Sequence, residues 1–291
     1  MKKVLIGVII LLIAIPAVSM ANSTKAATKY PVVLSHGMGA NADVMGITNY
    51  WGSIPSTLES NGASVYITSV DPMQSKAIKG AEWKAQVLSI LAVSGAAKIN
   101  LIGHSDGGLY TRYAISNLGM APYVASYTSM SSPHRGSPVA DVIMGFAADT
   151  GLTGAIAGLL NYVYSFMGVT GQDCATNGTQ ETTTWMINTF NPNTPNMAGI
   201  YYQSYGADCL TAIGGQVLTP LWAAMLIFGS GTNDGLVPVS SAQWGTYRGT
   251  LSGWFGVNHM SEVGLLEVEL LGYDPPTEFA SIVADLKSKG Y

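Results

Sequence analysis

Short apolar runs alternate with longer amphipathic segments along the first half of the chain. In the longer segments apolar residues recur every three or four positions, which predicts helices at 49–61, at 77–94 and from 106 onward. The apolar runs between them are rich in β-branched residues, and similar runs follow later, which predicts strands at 30–35, 63–70, 98–104, 124–130, 200–206 and 223–229. Such alternation predicts an α/β fold whose mostly parallel sheet has helices on both faces.

The segment from 138 to 169 differs from its surroundings, because Asp141 and Asp149 are its only charged residues. A transmembrane helix is one interpretation of the uncharged part at 152–170. A span there would put the two halves of the chain on opposite sides of a membrane, and no convincing second span follows. We prefer amphipathic helices that form a lid insertion at about 138–170.

The remaining segments predict a polar loop and two helices. Residues 171–195 are polar and typical of a loop. A helical run follows a loop at 257–260, over 262–271, and an amphipathic helix closes the chain at 277–287.

The first 21 residues have the pattern of a signal peptide. Lys2 and Lys3 precede an apolar run from 4 to 15, and Ser19-Met20-Ala21 offers a cleavage site between small residues. The run is short for a spanning helix, and an uncleaved anchor is the alternative. The sequence therefore predicts a secreted protein with one domain at 22–291 and no stable membrane span after cleavage.

The amino-acid composition argues against some classes of partner and favours others. Acidic residues outnumber basic ones by 17 to 13, charged residues make up only 10%, and no basic stripe is visible, which argues against a nucleic-acid partner. A hydrophobic content of 48% is high for an exported protein and indicates an exposed apolar surface suited to lipid. The two cysteines, Cys174 and Cys209, predict one disulfide in an oxidising compartment, with two free thiols as the alternative. Without a nearby histidine cluster they do not make a zinc site, and no cofactor is expected.

A Gly-x-Ser-x-Gly pentapeptide, Gly103 to Gly107, joins a predicted strand to a predicted helix. This is the context of a nucleophile elbow, in which a strained turn exposes the hydroxyl of a catalytic serine, here Ser105. The N–H of Asp106, at the start of the helix, can donate to an oxyanion. A glycine-rich turn that holds a serine by chance is the alternative.

The first predicted strand ends in a glycine-containing loop, His36 to Gly39. In α/β-hydrolases a loop after an early strand supplies the second oxyanion donor, and by position we assign it to the N–H of Met38. Since His36 precedes the nucleophile, it contradicts the Ser…Asp…His order of this fold, and we interpret it as a structural residue that ties the loop.

Only four histidines are available as the base. His104 is the neighbour of Ser105 and would point to the other side of the elbow, and His134 sits in a turn. His259 lies late in the chain in a loop, where the base of an α/β-hydrolase belongs. For the acid we favour Asp234, because it stands in a tight Asn-Asp-Gly turn after an apolar run. Asp208 is the second choice, and an ordinary Asx turn is the alternative interpretation of Asp234.

At these residues the chain resembles the Pseudomonas/Burkholderia-type bacterial triacylglycerol lipases. The matching motifs follow family order, at 30–37, 100–108, 132–137, 233–237 and 258–262. The resemblance implies Ser105 as nucleophile, Asp234 as acid and His259 as base. It also implies that Met38 and Asp106 are the oxyanion donors and that 138–169 acts as a lid.

Three departures from the family matter. Asp106 replaces the usual glutamine, which places a carboxylate near a developing oxyanion. Ser261 and Thr219 stand where the family has the aspartates of its structural calcium site, so we expect no metal of that type. No cysteine follows Asp234, which makes dependence on the foldase chaperone of many family members doubtful.

Together these observations predict a secreted serine lipase that hydrolyses acylglycerol esters at a lipid–water interface. A short-chain carboxylesterase, or an acyltransferase or polyester depolymerase with the same triad, is the alternative within the enzymes. A catalytically inactive lipid-binding protein is the alternative from another class.

Overall fold

The computed structural model describes residues 24–39, 50–145, 173–265 and 272–291. The predicted signal peptide and residues 146–170 of the predicted lid lie outside these ranges.

Within the described ranges, six strands form a single parallel sheet in the order β2-β1-β3-β4-β5-β6. The strands are β1 (Val32–Ser35), β2 (Val65–Thr68), β3 (Ile99–His104), β4 (Val124–Met130), β5 (Tyr201–Ala207) and β6 (Thr246–Leu251). The central position of β3 places the residues that follow it at the middle of the carboxyl edge of the sheet. In open α/β sheets, ligands bind at this edge.

The helices connect these strands and cover them. They are α1 (Ile54–Ser60), α2 (Lys76–Ser94), α3 (Asp106–Asn117), α4 (Pro138–Ile143), α5 (Cys174–Thr179), α6 (Thr183–Trp185), α7 (Asn191–Asn193), α8 (Ala212–Gly215), α9 (Thr219–Ile227), α10 (Val239–Ala242) and α11 (Pro275–Ser288). A π turn at Met186–Phe190 joins α6 to α7. Short 3₁₀ turns lie at Ala121–Tyr123, Gln216–Leu218 and Ser261–Val263.

Alternate residues of β1 face two separate cores, because successive side chains of a strand point to opposite faces. Val32 and Leu34 pack with residues of α1 and α11, whereas Val33 packs with residues of α2 and α3. Both faces of the sheet are therefore covered by helices, which confirms the predicted fold class.

Helix α2 illustrates how the sequence sets these elements. Ser75 accepts a hydrogen bond from the N–H of Ile78 and caps the start of the helix. Gly95 ends it in the left-handed conformation, with a φ of 67°. Trp83 and Val87, one turn apart, are fully buried against the sheet.

Two sequence predictions of secondary structure are wrong, and one strand has no counterpart among the predictions. The apolar run at 223–229 belongs to the helix α9, whose first turn contains Pro220. Strand β6 was not predicted, because its residues are mostly polar or half-exposed. The polar segment at 171–195 is largely helical, since the side chains of Asp173 and Thr182 cap α5 and α6.

The predicted lid begins as a helix, α4, capped by Ser137. The segment at 152–170 that suggested a membrane span lies outside the described residues. Among the helices that the structure describes, none combines the length and the apolar character needed to cross a bilayer.

Candidate active site

Ser105 occupies the turn between β3 and α3 with a strained backbone, at φ 57° and ψ −129°. A positive φ is rare for a residue with a side chain, and such strain is typical of functional sites. The strand, turn and helix that the Gly-x-Ser-x-Gly pattern requires are therefore all present.

The glycines on both sides of Ser105 are needed for close packing. A Cβ atom on Gly103 would lie 2.7 Å from the Gly107 carbonyl carbon, and one on Gly107 would lie 2.2 Å from the Ser35 carbonyl oxygen. Both contacts are too short for any side chain. These residues allow α3 to start directly against β1 and β3.

His259 and Asp234 form a buried pair. The Nδ1 atom of His259 lies 2.8 Å from Oδ2 of Asp234, and the His259 N–H donates to the Asp234 carbonyl at 2.9 Å. The other carboxylate oxygen of Asp234 accepts from the N–H groups of Leu236 (2.8 Å) and Val237 (2.7 Å). Burial opposes ionisation of Asp234, but its interaction with His259 prevails and lowers the pKa of this carboxyl.

The imidazole of His259 lies beside the elbow. Its ring packs against that of His104, the residue before Ser105, with the ring centroids 4.6 Å apart. With Nδ1 bonded to Asp234, Nε2 is the nitrogen left to act as an acceptor. No direct hydrogen bond joins the Ser105 hydroxyl to His259 among the hydrogen bonds of the described residues, and such bonds often tighten only when substrate is bound.

Glu262 is a further acid beside this pair, and the sequence analysis gave it no role. It is fully buried, with one carboxyl oxygen 3.8 Å from Nδ1 of His259. Burial and the negative charge of Asp234 raise the pKa of Glu262 well above its ordinary value. Both effects favour the neutral, protonated form of Glu262. The sequence offered one indication of a role for Glu262: it lies three residues after His259, inside a motif shared with the family.

The two predicted oxyanion donors are backbone N–H groups that have no hydrogen-bond partner among the described residues. That of Asp106 is in the first turn of α3, where a helix has no internal partner for it. Neither it nor the N–H of Met38 donates a hydrogen bond to any described residue. Tyr50, which the sequence analysis did not single out, links the two segments. Its hydroxyl accepts from the N–H of Gly37 at 2.8 Å and lies 2.5 Å from Nδ1 of His104.

The side chain of Asp106 is buried and paired with two lysines of α2. Its carboxylate oxygens lie 2.5 Å from the ammonium groups of Lys76 and Lys79. Burial alone would raise the pKa of Asp106, but the two cations outweigh it and lower this pKa. The carboxylate that departs from the family pattern is thus neutralised locally.

The two remaining histidines, His36 and His134, are structural. His36 donates from Nδ1 to the Gly37 carbonyl and accepts from the N–H of Val70, and burial lowers its pKa to about 4. These contacts agree with its predicted role in tying the loop. His134 is buried between Arg112 and Ser129, at 3.0 and 2.9 Å.

Asp208 does not take the second-choice role as the acid, and Cys209 does not form the predicted disulfide. Asp208 accepts from the N–H of Leu210 at 3.0 Å in a local turn and has no hydrogen bond to His259. Cys209 is a buried free thiol, so the structure lacks the predicted disulfide to Cys174, whose side chain lies outside the described atoms. Burial raises the pKa of Cys209, as expected for a cysteine that packs as an apolar residue.

The loop of His259 is held by hydrogen bonds where the family pattern would place calcium. Oδ1 of Asn258 accepts from the N–H groups of Met260 (2.9 Å) and Ser261 (3.0 Å). Its Nδ2 donates to the Gly214 carbonyl at 2.9 Å, across to α8. Ser261 itself donates to the Asn258 carbonyl at 3.0 Å.

One group of described residues could hold a metal ion by distance alone. His104, His259 and Glu262 each place one ligand atom within 4.8 Å of the others. However, burial and the charge of Asp234 favour the neutral form of Glu262, which is a poor metal ligand, and Nδ1 of His259 is oriented by Asp234. The donor set therefore fits the surroundings of a catalytic base better than a metal centre.

Comparisons with known proteins show which family the chain belongs to. A family model described as palmitoyl protein thioesterase matches residues 31–186. A triacylglycerol lipase of Burkholderia plantarii is 35% identical over 241 residues, covering 78% of this chain and 66% of that protein. A triacylglycerol lipase of Vibrio cholerae is 33% identical over 290 residues, covering 90% and 89%. The chain belongs to the triacylglycerol lipases. It is therefore a hydrolase of the lipase and esterase type, and the predicted resemblance is confirmed.

Solved structures support the fold. The mature lipase BlEst2 of Bacillus licheniformis superposes with a TM-score of 0.67 at 19% identity, covering 90% of this chain and 93% of that one. At this identity the similarity establishes the fold alone. It confirms the predicted α/β-hydrolase fold.

Proposed function

We propose that this member of the lipase family is a secreted serine lipase that hydrolyses the ester bonds of acylglycerols with Ser105, His259 and Asp234. The observation that carries the proposal is the 2.8 Å bond between His259 and Asp234 beside a strained serine elbow. A base oriented by a buried acid, next to a nucleophile on a sharp turn, is the arrangement that serine acyl transfer needs.

Acylation begins at Ser105. Nε2 of His259 accepts the hydroxyl proton while Oγ attacks the ester carbonyl, and the imidazolium that forms is stabilised by Asp234. The former carbonyl oxygen, now negatively charged, accepts hydrogen bonds from the N–H groups of Met38 and Asp106. His259 then gives the proton to the leaving alcohol, and an acyl-enzyme remains on Ser105.

Deacylation repeats these steps with water. His259 accepts a proton from water as the water oxygen attacks the acyl carbonyl, and the same two N–H groups hold the oxyanion. Collapse of the intermediate releases the fatty acid and returns the proton to Ser105. No cofactor takes part.

A lipid–water interface is the proposed place of action. Helices α8 and α9 expose the apolar side chains of Ile213 (60% exposed), Leu226 (43%) and Ile227 (80%). Clustered exposed apolar residues are typical of surfaces that meet lipid or another protein. We further propose that the segment at about 138–170 covers the site as a lid that favours long acyl chains.

The experiment is a matched series of p-nitrophenyl and glycerol esters, from short to long chains, for the purified protein and Ser105→Ala. The variant should keep its fold and lose turnover by several orders of magnitude. Preference for long chains supports a lipase, whereas preference for short chains points to a carboxylesterase and contradicts the lid argument. Retained activity in the variant would remove the proposed mechanism.

Secretion is tested separately by sequencing the amino terminus of the protein exported from its host. Cleavage after Ala21 is the expected result. An intact amino terminus in the membrane fraction would support an uncleaved anchor. Active protein obtained after refolding alone would support independence from a foldase chaperone.

A further inference from the structure

The buried ammonium group of Lys79 connects both sides of the proposed oxyanion hole. Its Nζ donates to Oδ2 of Asp106 at 2.5 Å and to the Pro72 carbonyl at 2.8 Å. The same Pro72 carbonyl accepts from the N–H of Gly39 at 3.1 Å. Asp106 is one proposed donor, and Gly39 directly follows Met38, the other.

We propose that Lys79 is a positioning residue that sets the distance between the N–H groups of Met38 and Asp106 for the oxyanion. This inference rests on the proposed function. An oxyanion donor is effective only at about 2.7–3.1 Å from the charged oxygen, so two donors on separate segments need a common anchor. An ammonium group has three protons to donate and can hold two acceptors at once.

The surroundings of Lys79 make this anchor rigid. Its side chain is fully buried in α2, and a Cβ atom on the next residue, Gly80, would lie 3.1 Å from the Tyr110 carbonyl of α3. The absence of a side chain there lets α2 approach α3 closely. Asn177 adds a parallel link, because its Nδ2 donates to the Gln74 carbonyl at 2.9 Å and to Asp106 at 3.3 Å.

Lys79 does more than neutralise a buried carboxylate, since Lys76 already does so. Lys76 pairs with Asp106 and also with Glu181, and burial raises the pKa of Glu181 to about 8. This shift favours the neutral form of Glu181, which leaves more of the charge of Lys76 to balance Asp106. Of the two lysines, Lys79 is the one that also donates to the Pro72 carbonyl.

The test compares Lys79→Met with the matched control Lys84→Met. Lys84 lies on the same helix and donates to the backbone carbonyl of Leu118 at 2.9 Å, at the far end of α3. For each protein we would measure kcat and KM on a p-nitrophenyl ester. We would also measure the rate of phosphonylation by an alkyl p-nitrophenyl phosphonate, whose tetrahedral adduct places an oxygen in the oxyanion hole.

We expect Lys79→Met to lower kcat and the phosphonylation rate by about 10- to 1000-fold, up to the roughly 100- to 1000-fold effect of losing an oxyanion donor outright. KM should change by less than about threefold, because only transition-state interactions are lost. Lys84→Met should match the wild type in all three measurements, and Lys79→Arg should recover part of the kcat because it keeps a cationic donor.

A Lys79→Met protein with the rates of the control, or with a changed KM and an unchanged kcat, would overturn the inference. If this variant does not fold, Asp106→Asn gives the same test from the other side of the pair, because it keeps the backbone N–H. A wild type that neither hydrolyses esters nor reacts with the phosphonate would instead refute the proposed function.

Discussion

The imidazole of His259 rests on that of His104, with ring centroids 4.6 Å apart and the planes tilted by 40°. His104 is in turn held by the hydroxyl of Tyr50, 2.5 Å from its Nδ1. Burial keeps the pKa of His104 well below its ordinary value. A neutral, immobile ring thus supports the proposed base from the residue next to the proposed nucleophile.

Removing this support should slow catalysis without weakening substrate binding. His104→Ala leaves His259 free to shift, and a displacement of about 1 Å of a catalytic group costs roughly 100-fold in rate. We expect kcat to fall about 10- to 100-fold at nearly constant KM. His104→Phe keeps a ring against His259 and should retain more of the kcat; equal losses in both variants would argue against a packing role.

Replacing Glu262 by glutamine should make stability less dependent on pH. In the folded protein the raised pKa of Glu262 favours its protonated form, whereas the unfolded chain releases this proton above the ordinary value of 4.5. The free energy of unfolding of the wild type therefore falls as the pH rises above that value. Glu262→Gln cannot ionise, so its Tm relative to wild type should increase from about pH 5 to about pH 8.

The control for this pH series is Glu59→Gln, which changes an exposed glutamate of α1. Its Tm difference from the wild type should stay flat over the same range. A flat difference for Glu262→Gln as well would mean that the buried carboxyl is ionised in the folded protein.

Asn258 should be essential to the loop that carries His259. Its amide makes the hydrogen bonds to Met260, Ser261 and Gly214 described above, and it is fully buried. Asn258→Ala leaves several buried groups unpaired and should lower the free energy of unfolding by roughly 2–4 kcal/mol. Asn193→Ala, at an exposed position, is the control for denaturant unfolding, and equal stability of the two variants would contradict this account.

Chelation should leave the protein unchanged. The loop around Asn258 is closed by side-chain and backbone hydrogen bonds, and hydroxyl-bearing residues occupy the family's calcium positions. We expect the Tm and the rate of ester hydrolysis to be the same with and without EDTA. A fall in either on chelation, reversed by added calcium, would show that a metal site of another kind supports the protein.

The parts of the fold that the sequence predicted are those where local pattern and burial agree. Strands β1, β3 and β4 are continuous buried runs, and α2 has both of its caps in the sequence. The run that forms α9 could not be assigned by periodicity, because a short, wholly apolar segment fits a strand or a buried helix equally well. Strand β6 has a polar, half-exposed pattern that depends on pairing with β5.

In the candidate site, too, the sequence predicted some residues and only the packing reveals the others. Ser105, Asp234 and His259 could be proposed from chain order and turn chemistry, which are local properties. Lys76 and Lys79 look like part of a solvated helix face, and only the packing of α2 against α3 reveals that they are buried with Asp106. Tyr50 could not be found either, because its contacts join residues 13 and 54 positions away.

The central claim, that Ser105 is the nucleophile, is tested most directly by mapping the adduct of an alkyl p-nitrophenyl phosphonate by peptide mass spectrometry. If Ser105 is the nucleophile, we expect one adduct, on the peptide that contains Ser105, and no adduct in Ser105→Ala. Ester hydrolysis should be lost in proportion to labelling. An adduct on a different residue, or full hydrolytic activity in the labelled protein, would contradict it.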